Sequence, residues 1–319
     1  MEQSNYYSVL FTGGIDSTYR ICQLAIDETA VIQPIYIIFH DNGTGCYTRP
    51  ECNREMEAQS NILNYIYRHP NTKAKLLPLH RIYRDKIPED KRILNLESLL
   101  VQYNFGWQYL YIALLAKWEI GIELCHETLP KEFLEGKVKF KNINGRMWTD
   151  TEGMDETLAL IFKDVTWPIL GTTRQQMLSD IQKWGYSEVW KYIWFCYKSV
   201  DNKPCGICDN CRVKISEGLD FLFDESALRR YYVYMILTKI SKKAPLWYQE
   251  YVHHQDSALY FHFNELDKLG REAQSRQMFA IIKALEKMSC SKLSSIFHKF
   301  DEKRDCSDEL MQYILSCKK

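Results

Sequence analysis

Residues 12–18 read Thr-Gly-Gly-Ile-Asp-Ser-Thr, a run of types suited to gripping an anion. Gly13 and Gly14 lack a Cβ, so a turn at this point can take unusual dihedrals and bring several backbone N–H groups to one spot. A helix starting there adds about half a positive charge at its amino end, which favours a phosphate. Ser17 and Thr18 can donate hydroxyl protons to phosphate oxygens. Asp16 would repel such a ligand unless it holds a magnesium ion or orients the loop through backbone hydrogen bonds. The plainer alternative is a glycine turn with a helix cap. No Gly-Lys-Ser/Thr follows and Gly-x-Gly-x-x-Gly is absent, which excludes a Walker loop and a dinucleotide fingerprint.

The second constellation is Cys196, Cys205, Cys208 and Cys211, spaced Cys-x8-Cys-x2-Cys-x2-Cys. Two-residue gaps let neighbouring thiolates converge on one ion, and Gly206 eases the turn between them. Four sulfurs without histidine suit tetrahedral zinc in a structural role, because no coordination position remains open. An iron–sulfur cluster is the rival, since thiolates serve both. Cys22, Cys46, Cys52, Cys125, Cys290, Cys306 and Cys317 show no comparable grouping, and His40, His80 and His126 read as structural residues near strand ends.

The elements that must position these groups follow from periodicity. Tyr6–Phe11 is a short apolar strand, and Tyr19, Cys22, Gln23 and Ile26 then recur at helical spacing. A second strand runs through "AVIQPIYIIFH" and ends at Asp41, Asn42 and Gly43. Glu55–Tyr67 reads as a helix, "AKLLPLHRIY" as a third strand and Phe105–Trp118 as a helix. Strand alternating with helix argues an α/β fold: a parallel sheet with flanking helices, whose ligands sit beyond the carboxyl ends of the strands. Both the Thr12–Thr18 turn and the Asp41 loop would lie there. Lys131–Glu156 is polar and carries Gly136, Gly145 and Gly153, which reads as an insertion or flexible loop. "TWPILGTTRQQMLSDIQKWG" gives a turn and a helix. Beyond Gly218 the chain turns to amphipathic helices, so the expected domains are 1–218, including the cysteine motif, and a helical extension, 219–319.

Composition narrows the function classes. Lys plus Arg and Asp plus Glu each total 41, so this 319-residue chain has zero formal charge and no broad field for nucleic acid. Hydrophobic residues make up 46%, enough for a sizeable core. No secretory apolar region follows Met1, and the longest apolar stretch is broken by Lys117 and Glu119. An odd count of eleven cysteines without an export signal suits reduced thiols and a cytoplasmic location.

The turn resembles the PP-loop Ser-Gly-Gly-x-Asp-Ser of the ATP pyrophosphatase superfamily, with Thr12 keeping the hydroxyl of the first serine. Joined to "WFCYKSVDNKPCGICDNCR", it resembles the 7-cyano-7-deazaguanine synthase (QueC) family of queuosine biosynthesis over residues 8–218. The resemblance implies an adenine nucleotide alpha hydrolase-like fold that uses ATP, Mg²⁺ and Zn²⁺. It implies a ligase that adenylates the carboxylate of 7-carboxy-7-deazaguanine, releasing pyrophosphate, so that ammonia attacks and a nitrile forms. Carried over by position, Phe11, Thr12, Gly13, Gly14, Asp16, Ser17 and Thr18 would bind the nucleotide's phosphates. Phe39 and Asp41, ending the second strand, would lie by the adenosine. Asp16 and Ser17 would be the catalytic pair. The chain departs from the family at "VQYNFGWQYL" and after "IELCHETLP", where the family's substrate-pocket segments fall. That departure and the added tail suit a second outcome, conjugation of the activated deazaguanine to an amine of a partner protein in antiviral defence. A third is an ATP-sensing scaffold without turnover. The expected partners are therefore the small deazaguanine, a protein docking on the C-terminal helices, and a second copy of the chain. Neither nucleic acid nor membrane is expected.

Overall fold

The computed structural model of the chain describes residues 5–39, 51–102, 106, 108–126, 138–240, 245–246, 248–249, 252, 280–301 and 307–317. These divide into two compact units, Met1–Trp194 and Phe195–Lys319.

The first unit is α/β. Its strands are β1 (Asn5–Leu10), β2 (Ala30–Ile38), β3 (Lys75–Leu76), β4 (His80–Tyr83), β5 (Ile122–Glu123), β6 (Lys139–Ile143), β7 (Arg146–Asp150) and β8 (Val165–Thr166). Its helices are α1 (Ile15–Ala25), α2 (Cys52–Arg68), α3 (Lys91–Leu94), α4 (Glu97–Gln102), α5 (Gln108–Ala116), α6 (Glu156–Phe162) and α7 (Arg174–Lys183). One sheet holds all eight strands in the order β3-β2-β1-β5-β8-β7-β6, with β4 also on β2. Every pairing from β3 and β4 through β8 is parallel. The winding leaves β1 toward β2 and later crosses to β5, so the order reverses between β1 and β5. Ligands of such sheets bind in the crevice at that reversal, beyond the carboxyl ends of the strands.

Side-chain alternation puts core on both faces of the sheet. Ile35 and Ile37 of β2 pack with Tyr109, Ile112 and Leu115 of α5, while Tyr36 and Ile38 meet Cys52 and Met56 of α2. The α5 sequence QYLYIALLA is apolar around most of its circumference and is buried to match. Helix α1 is fastened to β5 by Arg20, which grips Glu123 through two bonds of 2.7 and 2.6 Å. Among the described residues no helix is long and apolar enough to cross a membrane.

The segment 131–156 corrects the sequence reading where it is described. Residues 139–150 form the antiparallel hairpin β6–β7, which extends the sheet through β8. Asn144 and Gly145 turn the chain with φ of 52° and 79°, the left-handed pair of a type I′ turn. The Asn142 side chain also accepts from Gly145 N–H at 2.9 Å. Exposed polar residues on β6 hid the strand, because one face of this edge meets water.

The second unit holds the four cysteines together with α8 (Asp209–Ser216), α9 (Glu225–Ile240), a helical stretch at 280–286, α10 (Cys290–Asp301) and α11 (Ser307–Ser316). The compact-unit boundary thus falls upstream of the cysteine motif, where the sequence suggested 218. The reason is local: the cysteine loop packs on α9. A Cβ on Gly206 would sit 2.1 Å from the Ala227 carbonyl oxygen, and Arg230 Nε donates to the Cys205 carbonyl at 2.8 Å.

Candidate functional site

The turn after β1 is held from several sides. Phe11 N–H donates to the Ile35 carbonyl at 2.8 Å, and the Phe11 ring is fully buried. Gly13 takes φ +78°, and a Cβ there would meet Ala58 Cβ and Gln59 N of α2 at 3.3 Å. Its carbonyl accepts from Trp194 N–H at 3.0 Å. Gly14 is the N-cap of α1 and supplies no side-chain cap, so the leading N–H groups of the helix are left to a ligand or to solvent. Thr12 Oγ1 lies 3.4 Å from Gly14 N.

Three side-chain atoms on α1 and on the α2 segment beside this turn are buried without a hydrogen-bond partner: Ser17 Oγ, Thr18 Oγ1 and Gln59 Oε1. Their residues are 5%, 0% and 0% exposed. Gln59 is otherwise well used, since its Nε2 donates to the Phe11 carbonyl at 3.2 Å. An unsatisfied buried polar atom costs about 1–3 kcal/mol. Two of these atoms lie in the first turn of α1, and the third lies in the middle of α2, at the residue whose backbone approaches Gly13.

Asp16 has a partner that the sequence readings did not name. Its Oδ1 accepts from Arg174 Nη1 at 2.8 Å, and Arg174 is 6% exposed. Arg174 starts α7 just after Thr173, whose hydroxyl caps that helix by accepting from Gln176 N–H at 3.1 Å. The guanidinium brings a buried positive charge to the α1 side of the crevice. It therefore offsets the repulsion that Asp16 would exert on an anion. Of the two nucleoside-side residues, Phe39 is buried at the end of β2, and Asp41 lies outside the described residues.

The other wall comes from β5. Val9 pairs with Glu123, Leu124 N–H still reaches the Thr166 carbonyl at 2.8 Å, and the chain then turns at Cys125, where His126 N–H donates back to the Leu124 carbonyl at 3.1 Å. His126 Nε2 lies 3.1 Å from Tyr109 Oη, and the ring also faces Trp167 at a centroid distance of 6.5 Å. Burial holds His126 below the usual histidine value, with Asp16 partly opposing. Burial likewise pushes the Cys125 thiol well up, which leaves it a poor nucleophile.

The metal centre lies in the second unit. Sγ atoms of Cys196, Cys205, Cys208 and Cys211 lie within 4.8 Å of one another, and all four residues are buried. Cys196 and Cys208 sulfurs are 4.0 Å apart and those of Cys205 and Cys211 3.9 Å. A zinc–thiolate tetrahedron with bonds of ~2.3 Å has sulfur–sulfur edges of ~3.8 Å, so the four can hold one metal ion such as zinc. A multi-iron cluster spreads its thiolates over different irons and would hold them farther apart. The eight-residue excursion closes through a tight turn, Val200–Lys203, with Asp201 and Asn202 at φ 51° and 63°. Backbone N–H groups of Cys205 and Cys208 point at Cys196 and Cys205 sulfurs at 3.3 and 3.2 Å, and such bonds stabilise thiolate charge. The hydrogen bond with Cys196 holds the Cys208 thiol below the usual cysteine value.

The structure thus brings Thr12, Gly13, Gly14, Asp16, Ser17 and Thr18 together and unites the four cysteines. Sequence reasoning missed Arg174 and Gln59. The signal for Arg174 was its place just past a helix cap on the segment after a strand end. No protein-family model matches this chain, and no curated protein matches it.

Proposed function

We propose that the first unit is an ATP-dependent ligase site that transfers AMP to a carboxylate and releases pyrophosphate, readying the acid for a nitrogen nucleophile. The observation that carries this reading is the set of enclosed, unpartnered atoms (Ser17 Oγ, Thr18 Oγ1 and Gln59 Oε1) beside an uncapped helix start at the sheet's winding reversal. Phosphate oxygens would accept from the two hydroxyls and from the first N–H groups of α1. Gln59 Oε1, an acceptor only, suits a hydrated magnesium ion at those phosphates. Arg174 holds Asp16 and adds the positive charge that a departing pyrophosphate needs. The acid proposed is 7-carboxy-7-deazaguanine, after the family that the turn and the cysteine segment resemble, with ammonia as nucleophile and amide or nitrile as product. Zinc in the second unit would be structural.

The test is acid-dependent exchange of radiolabelled pyrophosphate into ATP, followed by product analysis with ammonia. The reading expects exchange that requires both magnesium and the acid, with AMP formed once ammonia is added. A protein that binds ATP but exchanges no pyrophosphate with any carboxylic acid offered refutes it.

A further inference from the structure

The first unit has a second cleft, at the end of α2 far from the glycine turn. Its volume is about 400 Å³, and Asn61, Asn64, Tyr65, Arg68, His69 and Tyr192 line it. Tyr192 closes the 3-10 turn Ser187–Tyr192. We propose that this cleft binds a mononucleotide, with the base against the tyrosine rings and the phosphate on Arg68.

The helix period builds one wall. Positions 61, 64, 65 and 68 recur at spacings of three and four, so they share a face of α2, while Ala58, Gln59, Ile62 and Ile66 are buried on another. The Tyr65 and Tyr192 rings lie 5.8 Å apart, and Tyr65 lies 5.3 Å from His69. His69 in turn leans on the fully buried Tyr186 at 4.4 Å. These rings form one aromatic surface backed by the core, and such a surface stacks a base of any kind. Asn71 N–H steadies His69 by donating to Nδ1 at 3.2 Å, which leaves Nε2 as a donor.

The polar groups select the rest of the ligand. Among the described residues, the side chains of Asn61, Asn64 and Arg68 make no hydrogen bond or ion pair. No carboxylate lines the cleft, and Glu188, close to Tyr65, is engaged by Lys191. The carboxyl end of α2 adds about half a negative charge, so Arg68 is the group that admits an anion. A guanidinium matches phosphate oxygens in pairs. Each asparagine amide offers a donor and an acceptor, the pair that reads a base edge. From position 61 to 68 the helix rises ~10.5 Å. A base with its sugar and phosphate spans that length, and a one-ring acid does not. Zero formal charge gives the chain no field to hold a strand, which favours a free mononucleotide over nucleic acid. Gln59, whose backbone approaches Gly13, stands ~13 Å from Arg68 along α2. The cleft is therefore separate from the phosphate turn and does not depend on the ligase reading.

The test is photolabelling of the full chain with 8-azido-AMP, without added magnesium, followed by peptide mass spectrometry. The label should fall within residues 61–69 or 187–192, and AMP should compete for it. Inorganic pyrophosphate, which suits the glycine turn, should leave it in place. Arg68 and Tyr192 are exposed, so their substitution spares the core, and an unchanged Tm checks this. By titration calorimetry, Arg68→Ala should weaken AMP about 10–100-fold through loss of a charged hydrogen bond. Tyr192→Ala should weaken it about 5–100-fold, and Tyr192→Phe, which keeps the ring, should bind like the wild type. Label confined to residues 11–18, no label at all, or wild-type affinity in R68A overturns the proposal. So does tight binding of a short RNA by a protein that ignores AMP, which would make the cleft part of a strand platform.

Discussion

Thr18→Val tests the candidate site through stability as well as binding. Thr18 is fully buried in α1 and its Oγ1 has no partner. Valine has nearly the same shape and is also β-branched, so it keeps the packing and removes one unsatisfied hydroxyl. Burying such a hydroxyl costs about 1–3 kcal/mol, so the variant should be more stable than the wild type by up to that amount. For a unit the size of Met1–Trp194, 1 kcal/mol moves Tm by about 2–4 °C, which gives a rise of roughly 2–12 °C. ATP at 100 times its Kd would add ~2.7 kcal/mol to the wild type, and the variant should lose most of that increment. Differential scanning calorimetry with and without Mg-ATP reads both effects in one pair of scans. A lower Tm without ligand means that the hydroxyl is satisfied in the native protein. A higher Tm with the full ATP increment retained means that Thr18 does not meet the phosphates. Either result breaks the link between the unsatisfied atoms and nucleotide binding.

Cys208→Ser should remove one thiolate from the metal centre, and elemental analysis should fall from one metal per chain toward none. Because structural zinc contributes about 10–16 kcal/mol of apparent binding free energy, the second unit should unfold with it; a metal-free protein with unchanged circular dichroism would dismiss the structural role. Gly206→Ala puts a Cβ into the Ala227 carbonyl at a left-handed φ of +82°, adding about 1–3 kcal/mol of backbone strain before the clash is counted. It should lower both Tm and metal retention after dialysis, whereas normal retention would contradict the described contact. Asp16→Ala should cut pyrophosphate exchange by about 10²–10³-fold through loss of the ordered charge at the turn. Asp16→Asn, which keeps an oxygen for Arg174 at 2.8 Å, should recover part of it, and unchanged exchange in D16A would remove Asp16 from the site.

What was legible in the sequence was what is local. Tyr6–Phe11 is an apolar run that stops at glycines, so β1 could be placed to within a residue, whereas α1 starts at Ile15, inside the segment read as the turn. The cysteine spacing forecast a cluster whose four sulfurs do converge. The same local logic would have found β6 and β7, because Asn144-Gly145 between KFKNI and RMWTD is a strong hairpin signal. It was outweighed there by polarity, which marks a loop only when both faces of a strand should be apolar. The missed site residues are a different matter. Arg174 reaches Asp16 across 158 positions, and Tyr109 reaches His126 only because α5 packs on the sheet beside β5. No spacing rule encodes such pairs, since the winding order of the sheet sets them. The phosphate side of a crevice like this is written as a motif because backbone N–H groups and small residues must follow one another in the chain. A contact such as Arg174 with Asp16 needs only one side chain delivered by a distant helix start, so it leaves no run of types in the sequence to read.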